Sequence, residues 1–273
     1  MVNSITGSSL SSMNYNNAVA AMNSSIEKLS SGKNVNRASD NPSVVSTITH
    51  LNTKSSGLEV ANKNINDAVT VLQTAQDGLQ SITERASVIR DLVVQYQSST
   101  TSSDEKLALK DEIKSHIDQI KYVIDTTDYK GEKLITCKNT FNIQTGYKDG
   151  QQVSFTINDG GLNEALALYA KNSDAVVNSL LTSKSPLDYI DDMTKDIASV
   201  QSNLGNVENR FASIISDNLS NITTTNAALS NINDVDFATE ISKLTTSQIQ
   251  AQVANSMVSF ANDNKSLILS LLK

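Results

Sequence analysis

The sequence predicts a mainly α protein. The expected form is an elongated antiparallel helical rod or coiled coil with one β-hairpin. Three observations lead there. Apolar residues recur at heptad spacing through the middle of the chain, one pair of alternating segments reads as strand, and both ends are amphipathic yet free of charge. Composition agrees: of 273 residues only 4% are aromatic, none is Trp, and 10 Gly and 2 Pro leave long stretches without breakers. Aromatics supply much of the bulk of a large rounded core, so thin packed helices fit better.

No Asp, Glu, Lys or Arg precedes Glu27, and none lies between Lys243 and Asp263. Exposed helical faces normally carry charge every turn or so. Here Ser, Thr, Asn and Gln surround Val19, Met22 and Ile26 at one end and Ile249, Val253, Met257 and Phe260 at the other. A membrane span needs roughly 20 predominantly apolar residues, and neither end has them, so no membrane insertion is expected. These faces suit burial among other copies of the chain.

The first rod helix is the most regular element. Leu58, Ile65, Leu72, Leu79, Ala86 and Val93 recur every seven residues, with Ala61, Ala68, Ala75, Ile82, Ile89 and Tyr96 three places after each. Repeats this long mean helices packed side by side. Ser99–Asp104 (STTSSD) reads as a turn with an N-cap. A second helix follows, with Leu109, Ile113, Ile117, Ile120 and Ile124 on one face. Phe141, Ile143 and Thr145, then Val153, Phe155 and Ile157, alternate with polar residues around the turn Tyr147–Gly150, which predicts a hairpin near 140–157. Residues 158–185 read as a short helix around Glu164–Ala170 followed by a loop. The third long helix starts near Pro186, with seam rows Ile190, Ile197, Leu204, Phe211 and Met193, Val200, Val207, Ile214. Continuing the register would place Asn218, Asn221 and Thr225 on the seam, so a four-residue stutter is expected, moving it to Ile215, Leu219, Ile222 and Leu229.

Chemistry has little to use. A net charge of −7 argues against a nucleic-acid surface. Cys137 is the lone cysteine, which excludes an intrachain disulfide and a cysteine metal cluster. His50 and His116 have no second histidine at ligand spacing, and the carboxylates are scattered over polar faces. No catalytic, cofactor-binding or metal-binding residues are assigned. The N-terminus carries neither the basic patch nor the apolar stretch of a secretory signal, so standard secretion is not expected and another export route stays open. A helical bundle closed within one molecule, serving as a soluble binding module, would explain the heptads but not the uncharged ends.

Six segments resemble the bacterial flagellins in order and position. They are IEKLSSGKNVNRASDNPS (26–43), ANKNINDAVTVLQTAQDGLQSI (61–82), IRDLVVQ (89–95), NVENRF (206–211), NINDVDFATEISKLTTSQI (231–249) and LSLLK (269–273). The resemblance implies a structural, non-enzymatic subunit of the extracellular filament, secreted through the flagellar type III channel. It implies an inner coiled-coil domain of residues 1–43 with 237–273, and a rod of 44–236 without outer domains. The termini would order on polymerisation, with Val19, Met22, Ile26, Ile249, Val253, Met257 and Phe260 as inner-core contacts. Self is the main partner; an export chaperone, the filament cap and hook-junction proteins are the others implied. The Ser31–Pro42 pattern leans toward the hook–filament junction protein, a related paralogue, and the C-terminus leans back to flagellin. Arg90, Leu92 and Glu112 match the stretch that contacts the innate immune receptor for flagellin, but Val88 stands where matching members carry another Arg. A rod-surface or subunit contact is the plainer role for Arg90 and Glu112.

Overall fold

The computed structural model describes residues 2–135, 140–157, 173–183 and 185–271. Among them are six helices, α1 (Val2–Ser31), α2 (Pro42–Gln97), α3 (Ser103–Thr126), α4 (Ser173–Thr182), α5 (Pro186–Asn233) and α6 (Phe237–Leu271). Four short strands are also present, β1 (Asp128–Tyr129), β2 (Glu132–Lys133), β3 (Thr140–Gln144) and β4 (Gln152–Thr156). The chain divides into two compact units, one of residues 56–222 and one joining 1–55 to 223–273.

The unit of residues 56–222 is organised around the heptad seam of α2. Eleven of the twelve predicted seam positions are buried, and Tyr96 is half-buried. From α3 the seam receives Ile113, Ile117, Ile120 and Ile124, all fully buried, with Leu109 packed at the edge. From α5 it receives Ile190, Met193, Ile197, Leu204 and Phe211. Helix α3 starts where the STTSSD turn predicts: the Ser102 hydroxyl accepts the Glu105 N–H, and the Glu105 carboxylate accepts the Ser102 N–H. That reciprocal box satisfies two of the donors a helix start leaves free.

The hairpin β3–β4 pairs Phe141 with Phe155 and Ile143 with Val153. Phe155 stacks on Phe141 at 5.2 Å and meets Phe211 edge-on at 6.0 Å, which fastens the hairpin to α5. A second, two-residue ribbon, β1–β2, was not predicted. Its Lys130 and Gly131 both take positive φ, 52° and 87°, the pair a type I′ turn needs. Strands this short have no alternation to read.

The stutter expected in α5 does not occur. Asn218 and Thr225 continue the seven-residue spacing from Phe211 and are buried, while Leu219 is 54% exposed. Burial of Asn218 is tolerated because its Nδ2 donates to Asn62 Oδ1 and to the Thr145 carbonyl, each at 2.9 Å. A satisfied amide can occupy a seam, so the register need not shift. Helix α4 is a second correction, since the sequence suggested a loop there. It buries Val176, Val177 and Leu180 and is tied to α3 by Lys114–Asp174 and Lys110–Asn178. The short helix expected at Glu164–Ala170, and Cys137, lie outside the described residues.

Gly78 marks where Thr127 and Ile135 press on α2. A Cβ there would stand 2.8 Å from Thr127 Oγ1 and 3.0 Å from Ile135 Cδ1, whereas one at Gly205 would meet nothing within 4 Å. Gly78→Val should therefore lose about 1–3 kcal/mol by overpacking, although removing a helical glycine is worth up to about 1 kcal/mol by itself. Gly205→Ala should gain about 0.5–1 kcal/mol. Urea unfolding followed by circular dichroism checks both, and opposite signs are required.

Candidate assembly surface

The second unit is built on the helix pair α1 and α6. Its geometry starts in the 32–41 turn. Gly32, at φ 69°, ends α1 in the left-handed conformation that glycine adopts without a Cβ penalty. The chain then lies antiparallel to the segment before α6, with the Val235 N–H donating to the Gly32 carbonyl at 3.0 Å. The Asp40 carboxylate accepts the N–H groups of Arg37 and Asn36, in that order of effect, and these hold its pKa below the usual carboxylate range. Asn41 caps α2 and Pro42 takes its first position, where a missing N–H costs nothing. Asp236 caps α6 through the Thr239 hydroxyl and the N–H groups of Thr239 and Ala238. The SGK…SDNP and DVDF segments are thus turn and cap chemistry that brings the two ends of the chain together.

Small residues make the contact. Ala18 and Ser25 of α1 and Ser247, Ala251 and Ala254 of α6 are buried, and the two backbones run close along the pair. At 100° per residue, positions 247, 251 and 254 form one stripe of α6. Ile249, Val253, Met257, Phe260 and Leu267 form another, turned away from the first. All five are exposed, Val253 at 51% and Phe260 at 70%. Part of this second stripe borders a groove of about 530 Å³, whose other wall is Ser11, Asn14 and Asn17 of α1. On α1 itself Ile26, Leu10 and Met13 are exposed, while Val19 and Met22 are half-buried.

The predicted inner-core residues therefore separate. Val19 and Met22 are partly used within the pair, whereas Ile26 on α1 and Ile249, Val253, Met257 and Phe260 on α6 are left exposed. Sequence reading missed Leu10, Met13 and Leu267, although helical spacing from Ile249 and Phe260 points to Leu267. It also missed the Ser25–Glu240 contact, whose partners stand 215 residues apart.

Arg90, Leu92 and Glu112 are not one surface set. Arg90 donates to Asp191 through Nε at 2.7 Å and Nη2 at 3.4 Å, which keeps both groups charged. Leu92 is only 7% exposed and belongs to the core; Glu112 is exposed. Among the described residues no group of His, Cys, Asp and Glu could hold a metal ion, and no helix is long and apolar enough to cross a membrane.

A helical protein that joins its two ends through small residues, and keeps bulky apolar ones outside on an uncharged face, has the surface of a subunit that packs against other chains. Comparison with known proteins specifies which. Residues 2–140 match the bacterial flagellin N-terminal helical region and residues 187–272 the bacterial flagellin C-terminal helical region. The chain belongs to the bacterial flagellin family, the filament subunits of the flagellum. It is 29% identical to a flagellin of Halalkalibacterium halodurans, over 96% of this chain and 94% of the relative. It is 29% identical to a flagellin of Bacillus subtilis, over 97% and 96%. A flagellin of Escherichia coli K12 is 30% identical over 66% of this chain but only 36% of its own length. A solved flagellar hook-associated protein from Vibrio parahaemolyticus shares the fold, with a TM-score of 0.57 and 17% identity over 71% of this chain and all of that one.

Proposed function

We propose that this chain polymerises through its terminal helix pair, residues 1–43 and 237–273 forming the inner core of an extracellular filament and 44–236 its outer layer. One observation carries the reading: Ile249, Val253, Met257, Phe260 and Leu267 form a single exposed row on a helix without a charge between Lys243 and Asp263. Fully burying each such side chain is worth about 1.5–3 kcal/mol, so a neighbouring copy gains several kilocalories per subunit by covering the row. A lone subunit leaves the row in water, and ordering of the pair then accompanies assembly. No chemistry is needed, and torque passes through packing alone. Export in an unfolded state through the flagellar type III channel is the route that membership of the family suggests. A chaperone covering the row before export, and the filament cap and hook-junction proteins at either end, complete the partners.

Purified protein seeded with filament fragments should extend into long filaments visible by electron microscopy. A hook–filament junction subunit would add a few copies and stop. A soluble binding module would stay monomeric, with α1 and α6 protected from limited proteolysis.

A further inference from the structure

Among the described residues, Glu240 is the one charged residue that is buried, at 4% exposure, and it lies in the contact between α1 and α6. Its Oε1 accepts the Ser25 hydroxyl from α1 at 2.7 Å, and its Oε2 accepts Lys243 Nζ at 3.0 Å. Burying a carboxylate is costly unless it is paired and hydrogen-bonded. Here both requirements are met, one of them from the opposite end of the chain. The small residues further along the pair, Ala18, Ala251 and Ala254, are alike enough that sliding one helix past the other would cost them little. A lone buried polar contact in such a seam is a known way of fixing register. We infer that Ser25, Glu240 and Lys243 form an acid-releasable latch that holds the two terminal helices in register. As an effect on filaments, the inference rests on the assembly reading above.

The direction follows from the groups around the carboxyl. Burial alone would raise the Glu240 pKa; the Ser25 hydroxyl, then Lys243, and more weakly Lys28 of α1 outweigh it and hold the pKa below its ordinary 4.5. A folded-state pKa that is lowered contributes stability present in full above the unfolded value and lost as pH falls through the folded one. Below that range Lys243 and Lys28 remain charged beside a neutral acid, which removes the attraction across the pair.

The test is pelleting of filaments of the full chain between pH 7 and pH 3, comparing wild type with Glu240→Gln. At pH 7 the variant should leave roughly tenfold more subunit in the supernatant, the order set by losing a hydrogen-bonded charge, and the gap should close as pH falls below 4.5. A gap that is absent at pH 7, or unchanged in acid, overturns the latch. Should Glu240→Gln fail to assemble, Ser25→Ala keeps the carboxylate and must release subunits at higher pH than wild type; an unmoved midpoint overturns the inference equally. If wild type itself forms no filament at neutral pH, the assembly reading fails separately. The latch is then judged by amide exchange of Val2–Ser31 in soluble protein, where the same closing gap between wild type and Glu240→Gln is required.

Discussion

Val253→Asp protein is expected to remain unpolymerised at concentrations where wild type forms filaments, while the helical core of residues 56–222 unfolds at its normal temperature. Val253 is half exposed in the middle of the outward row on α6, beside the α1–α6 groove. Three turns around it carry no charge to pair with an introduced carboxylate. Covering that carboxylate with a neighbouring subunit strips its water without replacing it, which costs several kilocalories per mole. The wild-type row contributes favourable energy at the same contact, so the change reverses its sign. Because every added subunit repeats the contact, one substitution shifts the assembly equilibrium by several powers of ten. Val253 and the heptad seam belong to different units, so the two effects should separate cleanly. Pelleting reports assembly; circular dichroism on heating reports the core. Filaments at the wild-type threshold concentration would mean that the outward row is not the assembly surface.

The parts of the fold governed by periodicity are legible in the amino-acid order alone. Within α2, α3 and α5 the helical rows place nearly every buried aliphatic residue, because a helix packed along its length repeats its chemistry at fixed intervals. The hairpin is legible for the same reason at period two. What escapes is governed by single contacts. Asn218 looks misplaced on an apolar seam until Asn62 and the Thr145 carbonyl are beside it. The turn at Lys130–Gly131 has strands too short to show a pattern, and α4 buries only three side chains. At the candidate surface, the absence of charge discloses the region. It does not say which apolar residues the helix pair already uses. Val19 and Ile26 look equivalent in sequence, and only the position of α6 distinguishes them. Leu92 illustrates the reverse case. Resemblance groups it with Arg90 and Glu112, but it sits three residues after one seam position and one before another, and the core takes it.

Phe211→Ala is expected to give the largest loss of stability in the unit of residues 56–222, about 3–5 kcal/mol. Phe211 is the bulkiest fully buried side chain there and the last buried apolar residue of α5 before Asn218. It also receives the edge-on contact from Phe155, and Phe155 stacks on Phe141. Removing the ring therefore opens a cavity against α2 and frees the hairpin on one side. Edge-on aromatic pairs contribute about 0.5–1.5 kcal/mol beyond their buried area, so Phe155→Leu should reproduce part of the same loss, and the double variant should fall short of the sum. Phe211→Leu keeps most of the volume and should cost well under half as much as Phe211→Ala. Urea denaturation of the monomer, followed by far-ultraviolet circular dichroism, measures all four proteins. The decisive comparison is additivity. If Phe211→Ala and Phe155→Leu simply add, the hairpin is not held by this ring, and the clamp between the hairpin and α5 must be sought in the hydrogen bond from Asn218 to the Thr145 carbonyl after β3 instead.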